Sequence, residues 1–456
     1  QGIPAGLIDC HWQTMLAALP TLPTATIVPA RIDALFCHTD KLPDQVWAHA
    51  QIHEHSATLV IATIKLLSAA GQVLLESRGI EFRVVAANSF RHPSSMPRLF
   101  SRHWQSLPPT KATVTTDSVW LAGKPEDTQR LAASLQEANI TPLLFADVVT
   151  PQSLDFHQAA LPLIYVDSVA EGVQSCIALN RFLASLPRGA HGSGELIVLT
   201  PLSESPSVED STALSIAHGS ALSVQAVAAA HELQDWNIRA VAMDKEPDSI
   251  RALLNLLGAE MRSGLRLQIE SGVVQVLNAD ELAPANEEIS FTPSKLQVIT
   301  GGLGGLGLLT AKWMFKRGAR NFLLVGRSSP SQDAEAVLAF LDEQGASTQV
   351  YCCDVSQYEQ VLALAATAAQ LAPVETIIHA AGMNRDGLID SLQDDDFSAL
   401  AQGKAMAAIN LHHAFEALKP KHTVYYSSIA AWLGAAGQSN YCAANAALDS
   451  LAKQYS

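Results

Sequence analysis

Apolar and polar positions change their spacing along the chain, and the changes divide it. Residues 25–35, 45–55, 58–68 and 72–85 are strand-like runs, and the second follows the two-residue period of a strand with two distinct faces. In the second run Trp47, His49, Gln51, His53 and His55 share one face, and Val46, Ala48, Ala50 and Ile52 share the other. Ahead of these runs, residues 4–19 have helical content and stop at Pro20. The pattern predicts an α+β unit over residues 1–92, one helix wrapped by a long antiparallel sheet. Residues 93–116 contain Pro93, Pro97, Pro108 and Pro109, with Phe100 and Trp104 as anchors, and read as a linker.

From residue 117 the pattern becomes short apolar runs separated by stretches of helical length. The runs 118–123, 142–146, 161–166, 195–200 and 238–243 alternate with helical segments such as 128–138, 169–186 and 219–233. This alternation predicts a parallel sheet with helices on both faces. Residues 264–277 read as a hairpin turning at Ser271-Gly272. The first strand leads into Lys124-Pro125-Glu126, with no glycine loop, so 117–290 is expected to be structural. A second βα series fills 291–456.

That second series carries candidate chemistry. A buried strand, 296–300, runs into Gly301-Gly302-Leu303-Gly304-Gly305-Leu306-Gly307 and then a helix with apolar Leu306, Leu309, Trp313 and Met314, stopped at Gly318. Glycines there allow a tight turn and close approach of a pyrophosphate to a helix N-terminus. The next strand ends at Arg327 and Ser328, a cation and a hydroxyl suited to a ribose 2′-phosphate, where an acidic residue would favour NADH. NADPH is the expected cofactor. Asp354, with Val355, follows a third strand and can accept from an adenine amine. Ala380, Ala381 and Gly382 follow a fourth, leaving room for a dinucleotide across the sheet edge. Ser428, Tyr441 and Asn445 come last. On a helix Tyr441 and Asn445 lie one turn apart, and two hydroxyls with an amide suit polarising and protonating a carbonyl oxygen.

Composition narrows the field further. A net charge of −15 with no long basic run argues against nucleic acid and anionic membrane as partners. No apolar run reaches the length of a membrane span. The six cysteines lack CxxC spacing, which fits a cytoplasmic setting with buried thiols. Three histidines on one strand face could bind a metal; a solvated face is the expected reading, with no metal site.

Thr300 to Gly307, Gly326-Arg327-Ser328, Cys353-Asp354-Val355, His379-Ala380-Ala381-Gly382, Lys404, Ser428, Tyr441 and Asn445 together resemble the ketoreductase domain of polyketide synthases and animal-type fatty acid synthases. That domain belongs to the short-chain dehydrogenase/reductase superfamily, and the resemblance covers 117–456. It implies a fold of two Rossmann-like, doubly wound parallel-sheet subdomains, one structural and one catalytic. The wider superfamily places a lysine four residues after the tyrosine, where this chain has Asn445. The resemblance implies that Lys404 supplies the cation instead, that Ser428 and Tyr441 hold the ketone oxygen, and that Tyr441 donates the proton. Asn445 would hold a water or the lysine. Asn384-Arg385-Asp386 keeps only the last residue of the B-type marker Leu-Asp-Asp. Leu433, beside Trp432, stands at the A-type tryptophan position, so the expectation leans to B-type with a 3R-type hydroxyl.

Pro4, Leu7-Ile8-Asp9 and Gln13 resemble the second half of a modular polyketide synthase dehydratase, a hot-dog fold. Asp9 would be the acid and Gln13 its orienting partner, although Ile3 replaces the histidine usual before the proline. The half that carries the catalytic histidine is absent from the chain. The family also continues beyond the helix of Tyr441, so a slice of a larger synthase is expected. Implied partners are an acyl carrier protein bearing a β-ketoacyl group, other domains of the same synthase, and a second copy in a homodimer. Two rivals remain at this point: a non-catalytic scaffold that docks carrier proteins, and a dehydratase or isomerase centred on Asp9.

Overall fold

In the computed structural model, residues 289–456 are described throughout. Before them the structure describes chiefly 26–39, 46–56, 59–85, 99–108, 118–144, 161–167, 172–188, 194–202, 212–257 and 261–282. The chain forms two units, Gln1–Leu99 and Phe100–Ser456. In the first, the strand-like runs become β1 (Thr26–Arg31), β2 (Ala34–Cys37), β3 (Trp47–His55), β4 (Leu59–Leu67) and β5 (Val73–Val85). They form one antiparallel sheet in the order β1-β5-β4-β3, with β2 also on β5. Along β4 every second side chain is buried; Val60, Ala62 and Ile64 meet Ile80, Phe82 and Met15 in one core. His49, His53 and His55 are exposed on β3, and His53 Nε2 hydrogen-bonds the Thr63 hydroxyl at 2.8 Å. Asp9 and Gln13 lie outside the described residues.

The second unit holds two sheets. The first contains β6 (Leu99–Ser106), β7 (Ser118–Gly123), β8 (Thr141–Leu144), β9 (Leu163–Val166), β10 (Gly194–Pro201), β11 (Trp236–Met243), β12 (Leu265–Glu270) and β13 (Val273–Leu282). Their order is β6-β13-β12-β11-β10-β9-β7-β8, parallel from β12 to β8. Part of the expected linker is thus a strand. β6 is held by pairing with β13 and by an ion pair from Arg102 to Asp449 at 2.9 Å. The β12–β13 hairpin turns at Ser271 and Gly272, both at positive φ, as a two-residue turn requires. Helices α1 (Pro125–Glu137), α2 (Val173–Ser185), α3 (Thr212–Glu232) and α4 (Pro247–Leu256) supply the crossovers.

The second sheet is wholly parallel: β14 (Leu296–Thr300), β15 (Asn321–Gly326), β16 (Ser347–Cys352), β17 (Val374–His379) and β18 (His422–Tyr425), in the order β16-β15-β14-β17-β18. Successive residues on β14, β15 and β17 point to opposite faces and enter two different cores. Val298, Leu323 and Ile377 face α7 (Tyr358–Leu371) and α9 (Ala407–Phe415). Ile299, Leu324 and Ile378 face α5 (Gly305–Lys316) and α6 (Gln332–Glu343). Burial of each such aliphatic side chain contributes roughly 1.5–3 kcal/mol. On α5 the buried positions are Gly307, Leu308, Thr310, Ala311 and Met314, while Leu306, Leu309 and Trp313 are exposed. The strand order reverses between β14 and β17, and an open parallel sheet forms its ligand crevice at such a point.

The remaining helices are α8 (Asp394–Ala401), α10 (Ala430–Leu433) and α11 (Ser439–Gln454). Helix α11 packs along α3 of the first sheet through a seam of small residues. Ala228 and Val224 meet Cys442 and Ala446, and Ala443 joins the core under α2 and α3.

Candidate active site

Lys404 owes its position to an irregular turn. Between α8 and α9 the chain makes a π-helical turn, Gln402–Met406, a distortion frequent at functional sites. This turn carries Lys404 into the interior, 5 % exposed. Its Nζ donates to the carbonyl oxygen of Tyr426 at 3.2 Å and stands 5.5 Å from the centre of the Tyr441 ring. Burial pushes its pKa down to about 8. Gly382 leaves room for the side chain: a Cβ there would meet Lys404 Cε at 3.4 Å.

Tyr441 sits in the first turn of α11, partly exposed, and its N–H donates to Asn440 Oδ1 at 2.8 Å. One turn on, the fully buried Asn445 donates from Nδ2 to the Tyr441 carbonyl at 2.8 Å. Its buried Oδ1 has no hydrogen-bond partner within the protein. Ser428 lies just past β18, where its Oγ accepts from the Ala430 N–H at 3.2 Å. Next to it, Ser427 Oγ donates to the Asn445 carbonyl at 3.2 Å. The structure therefore brings Lys404, Tyr441 and Asn445 together and sets Ser428 at the end of the neighbouring strand.

Tyr426 was not among the expected site residues. Its carbonyl orients Lys404 and its hydroxyl hydrogen-bonds Thr310 on α5 at 2.7 Å, tying the glycine loop's helix to the tyrosine site. A backbone carbonyl has no sequence signature, so nothing in the chain could have pointed to it.

Around the glycine loop the backbone closes tightly. Gly301 has φ 69, and a Cβ there would lie 2.6 Å from Ala381 N; at Gly307 it would lie 2.2 Å from Gly301 O. Gly302 is equally hemmed in, against Ile299 O at 2.6 Å. Gly305, at the first position of α5, has nothing within 4 Å, and Gly304 to Leu306 are exposed. Leu303 packs beneath the loop against Gly326. An open helix N-terminus over a glycine turn fits a dinucleotide's phosphates. Arg327 and Ser328 stand exposed at the end of β15. Asp354 Oδ1 is already used by Ser356 N and Oγ, at 3.0 and 2.8 Å. Val355 is buried, and its carbonyl accepts from Asn410. Ala380 and Ala381 line the opposite side of the crevice, partly exposed.

Residues 296–456 match the family model described as KR domain, and residues 5–92 match that of the polyketide synthase dehydratase N-terminal domain. The latter description places the first unit in the N-terminal part, where the Pro4–Gln13 motif reads as the second half. A dehydratase-type hot-dog fragment is common to both. Polyketide synthase GfsA of Streptomyces halstedii is 34% identical over 241 residues, 49% of this chain and 3% of that protein. The 6-methylsalicylic acid synthase of Aspergillus niger is 24% identical over 442 residues, 91% of this chain and 24% of the synthase. Among solved structures, the ketoreductase PlmKR1 from the first module of phoslactomycin biosynthesis in Streptomyces sp. HK803 superposes with TM-score 0.62 at 25% identity, covering 78% of each chain. A ketoreductase domain from the bacillaene assembly line shares the fold, with TM-score 0.61 at 21% identity, over 79% of this chain and 80% of that one.

The second unit has the Rossmann-type, two-sheet fold of solved ketoreductase domains, and its second sheet carries the part that matches the KR domain. In the chain as a whole, a dehydratase fragment is followed by a ketoreductase domain of the kind found in polyketide synthases.

Proposed function

We propose that residues 117–456 reduce the ketone of a β-ketoacyl thioester, presented by an acyl carrier protein, to a β-hydroxyacyl thioester with NADPH, beside a dehydratase in polyketide assembly. The observation that carries the reading is the buried Lys404 ammonium 5.5 Å from the Tyr441 ring, at the crevice that the glycine loop opens.

Gly301 to Gly307, Arg327, Ser328, Asp354, Val355 and Ala380 to Gly382 would hold the cofactor, which when bound supplies a hydride to the ketone carbon. The chain's own part is to hold the ketone oxygen and protonate it. The Ser428 and Tyr441 hydroxyls donate to that oxygen, and the Tyr441 hydroxyl gives up its proton as the alkoxide forms. The Lys404 charge stabilises the resulting phenolate, more strongly in a buried site than in water. Asn445 Oδ1 is the free acceptor that a relaying water or the Lys404 ammonium can use. The lean to a B-type, 3R-type product stands on Asp386. Other domains of the synthase, a homodimer through it and a cytoplasmic setting complete the proposal.

The test is NADPH consumption with a β-ketoacyl N-acetylcysteamine thioester. Tyr441→Phe is expected to slow it by roughly 10²–10⁴-fold. A wild-type chain that neither binds NADPH nor consumes it would instead support the scaffold reading.

A further inference from the structure

Several side chains of the subdomain without a nucleotide loop reach toward the active site: Arg188 and Arg181 pair with Asp390 and Asp394 at the exposed rim, His231 bonds the Leu433 carbonyl at 2.9 Å, and two, Glu232 and Asn180, hold backbone groups. Glu232, the last residue of α3, accepts from the Gly437 N–H with Oε1 and from the Ile389 N–H with Oε2, each at 2.8 Å. Asn180 on α2, 4 % exposed, donates from Nδ2 to the Ile389 carbonyl at 3.1 Å and accepts from the Ser439 hydroxyl at 3.5 Å. Both backbone groups of Ile389 are therefore held by the other subdomain. The Gly437 carbonyl in turn accepts from the Gly387 N–H at 2.8 Å.

These bonds join the two stretches that flank the reaction site. One is the irregular segment 380–393 between β17 and α8. The other is the turn that begins α11, four residues ahead of Tyr441. Asn440 Nδ2 donates to the Arg385 carbonyl and Gln438 Nε2 to Asp386 Oδ2, at 2.8 and 3.0 Å, so the stretches are zipped along their length. Below them Ile389 and Leu392 pack with Leu179, Phe182 and Leu183 of α2. The place of Tyr441 is set from α2 and α3 as much as from its own sheet.

We propose that Glu232 and Asn180 are positioning residues for the ketone reduction, a clamp through which the nucleotide-free subdomain fixes segment 380–393 against the start of the Tyr441 helix. The proposal rests on the reductase reading above. A carboxylate suits the task because two separate N–H groups need two acceptor oxygens, and such charge-assisted bonds are strong. An amide at position 232 offers one acceptor and turns an NH₂ group toward the second donor. A displacement of about 1 Å in a reacting group can cost about 10²-fold in rate.

The experiment uses the full chain and three variants: Glu232→Gln, Glu232→Ala and Tyr441→Phe. Thermal melting, NADPH affinity, kinetics with the model thioester and amide hydrogen exchange at Ile389 and Gly437 are measured for each. Glu232→Ala is expected to lose about tenfold or more in kcat/KM for the ketone. Exchange at both amides should speed up, and NADPH affinity should fall by less than kcat/KM does, because the freed amides, Ile389 and Gly437, lie away from the glycine loop, Ile389 seven residues beyond Gly382, where the cofactor-holding part of the segment ends. Glu232→Gln should fall between the wild type and Glu232→Ala, with one of the two amides deprotected. A purely structural role would lower the melting temperature while leaving kinetics below it unchanged, and that result overturns the clamp. Slow exchange at both amides in Glu232→Gln overturns it too, even if Glu232→Ala does not fold. If Tyr441→Phe is as fast as wild type, the reductase reading fails, and the exchange data still judge the clamp.

Discussion

Lys404 Nζ lies 5.5 Å from the centre of the Tyr441 ring, although the two residues come from different helices. The position four residues after Tyr441 is taken by Asn445, whose amide bonds the Tyr441 carbonyl. The cation reaches the phenol by the π-helical turn and is held there by the Tyr426 carbonyl at 3.2 Å. With its pKa pushed down to about 8 by burial, Lys404 is charged below that pH and neutral above it. The kcat/KM for ketone reduction is therefore expected to fall as pH rises through about 8, as the charge that stabilises the phenolate disappears. Lys404→Arg keeps its charge throughout this range and should remove the alkaline limb, at about 10–100-fold lower activity because a planar guanidinium does not fit an ammonium site. An unchanged limb in the arginine variant would show that another group titrates.

The glycine loop yields a paired prediction. At Gly307 a Cβ would press on backbone atoms 2.2 and 2.6 Å away, and backbone cannot give cheaply. Gly307→Ala should cost about 1–3 kcal/mol of stability, seen as a lower melting temperature. At Gly305 a Cβ meets nothing in the protein. Gly305→Ala should melt like the wild type yet bind NADPH about tenfold or more weakly, as the added methyl intrudes where the phosphates approach the helix. Wild-type affinity in Gly305→Ala would place the phosphates somewhere else.

Cofactor choice is expected to turn on Arg327. It is exposed at the end of β15, so removing it costs the fold little. Arg327→Ala should lower the ratio of kcat/KM for NADPH over NADH by about tenfold or more, the worth of a charged hydrogen bond to a 2′-phosphate. Equal losses with both cofactors would mean that Arg327 serves the shared part of the dinucleotide.

Much of this was legible in the chain. Strands β3, β4, β5, β7 and β14 lie within a few residues of where alternation and apolar runs place them. The glycine loop was legible because it needs residue types that little else needs. Packing across the fold was not. Phe100, Arg102 and Trp104 alternate as a strand does, but flanking prolines hide β6, whose partner β13 is remote in sequence. Leu306, Leu309 and Trp313 follow a helical period, yet α5 buries the face of Gly307, Leu308, Thr310, Ala311 and Met314, because the sheet takes the glycine-loop face. The Asn180–Ile389 bond spans 209 positions, and no local pattern encodes such a pairing. Lys404 could be matched by motif, but the π-helical turn that aims it could not.

His379 links the site to acid stability. It is fully buried at the end of β17, with Nδ1 2.7 Å from the Thr300 hydroxyl. Burial, and then the nearby Lys404 charge, push its pKa down to about 4. An unfolded histidine titrates near ~6.5, so between these values the unfolded chain binds the extra proton. The stabilisation is complete above ~6.5 and is lost as pH falls through about 4, at most about 3 kcal/mol for this one group. Glu375, whose pKa is also lowered by its bonds to Gln297 and Thr292, weakens in acid as well, but does so in wild type and variant alike. Urea unfolding at pH 7, 5.5 and 4.5 separates the two contributions. His379→Gln, less stable at pH 7 but without a titrating ring, should lose less free energy on acidification than the wild type. Parallel losses would show that His379 takes up its proton alike in the folded and unfolded states, and that the acid sensitivity belongs to the carboxylates.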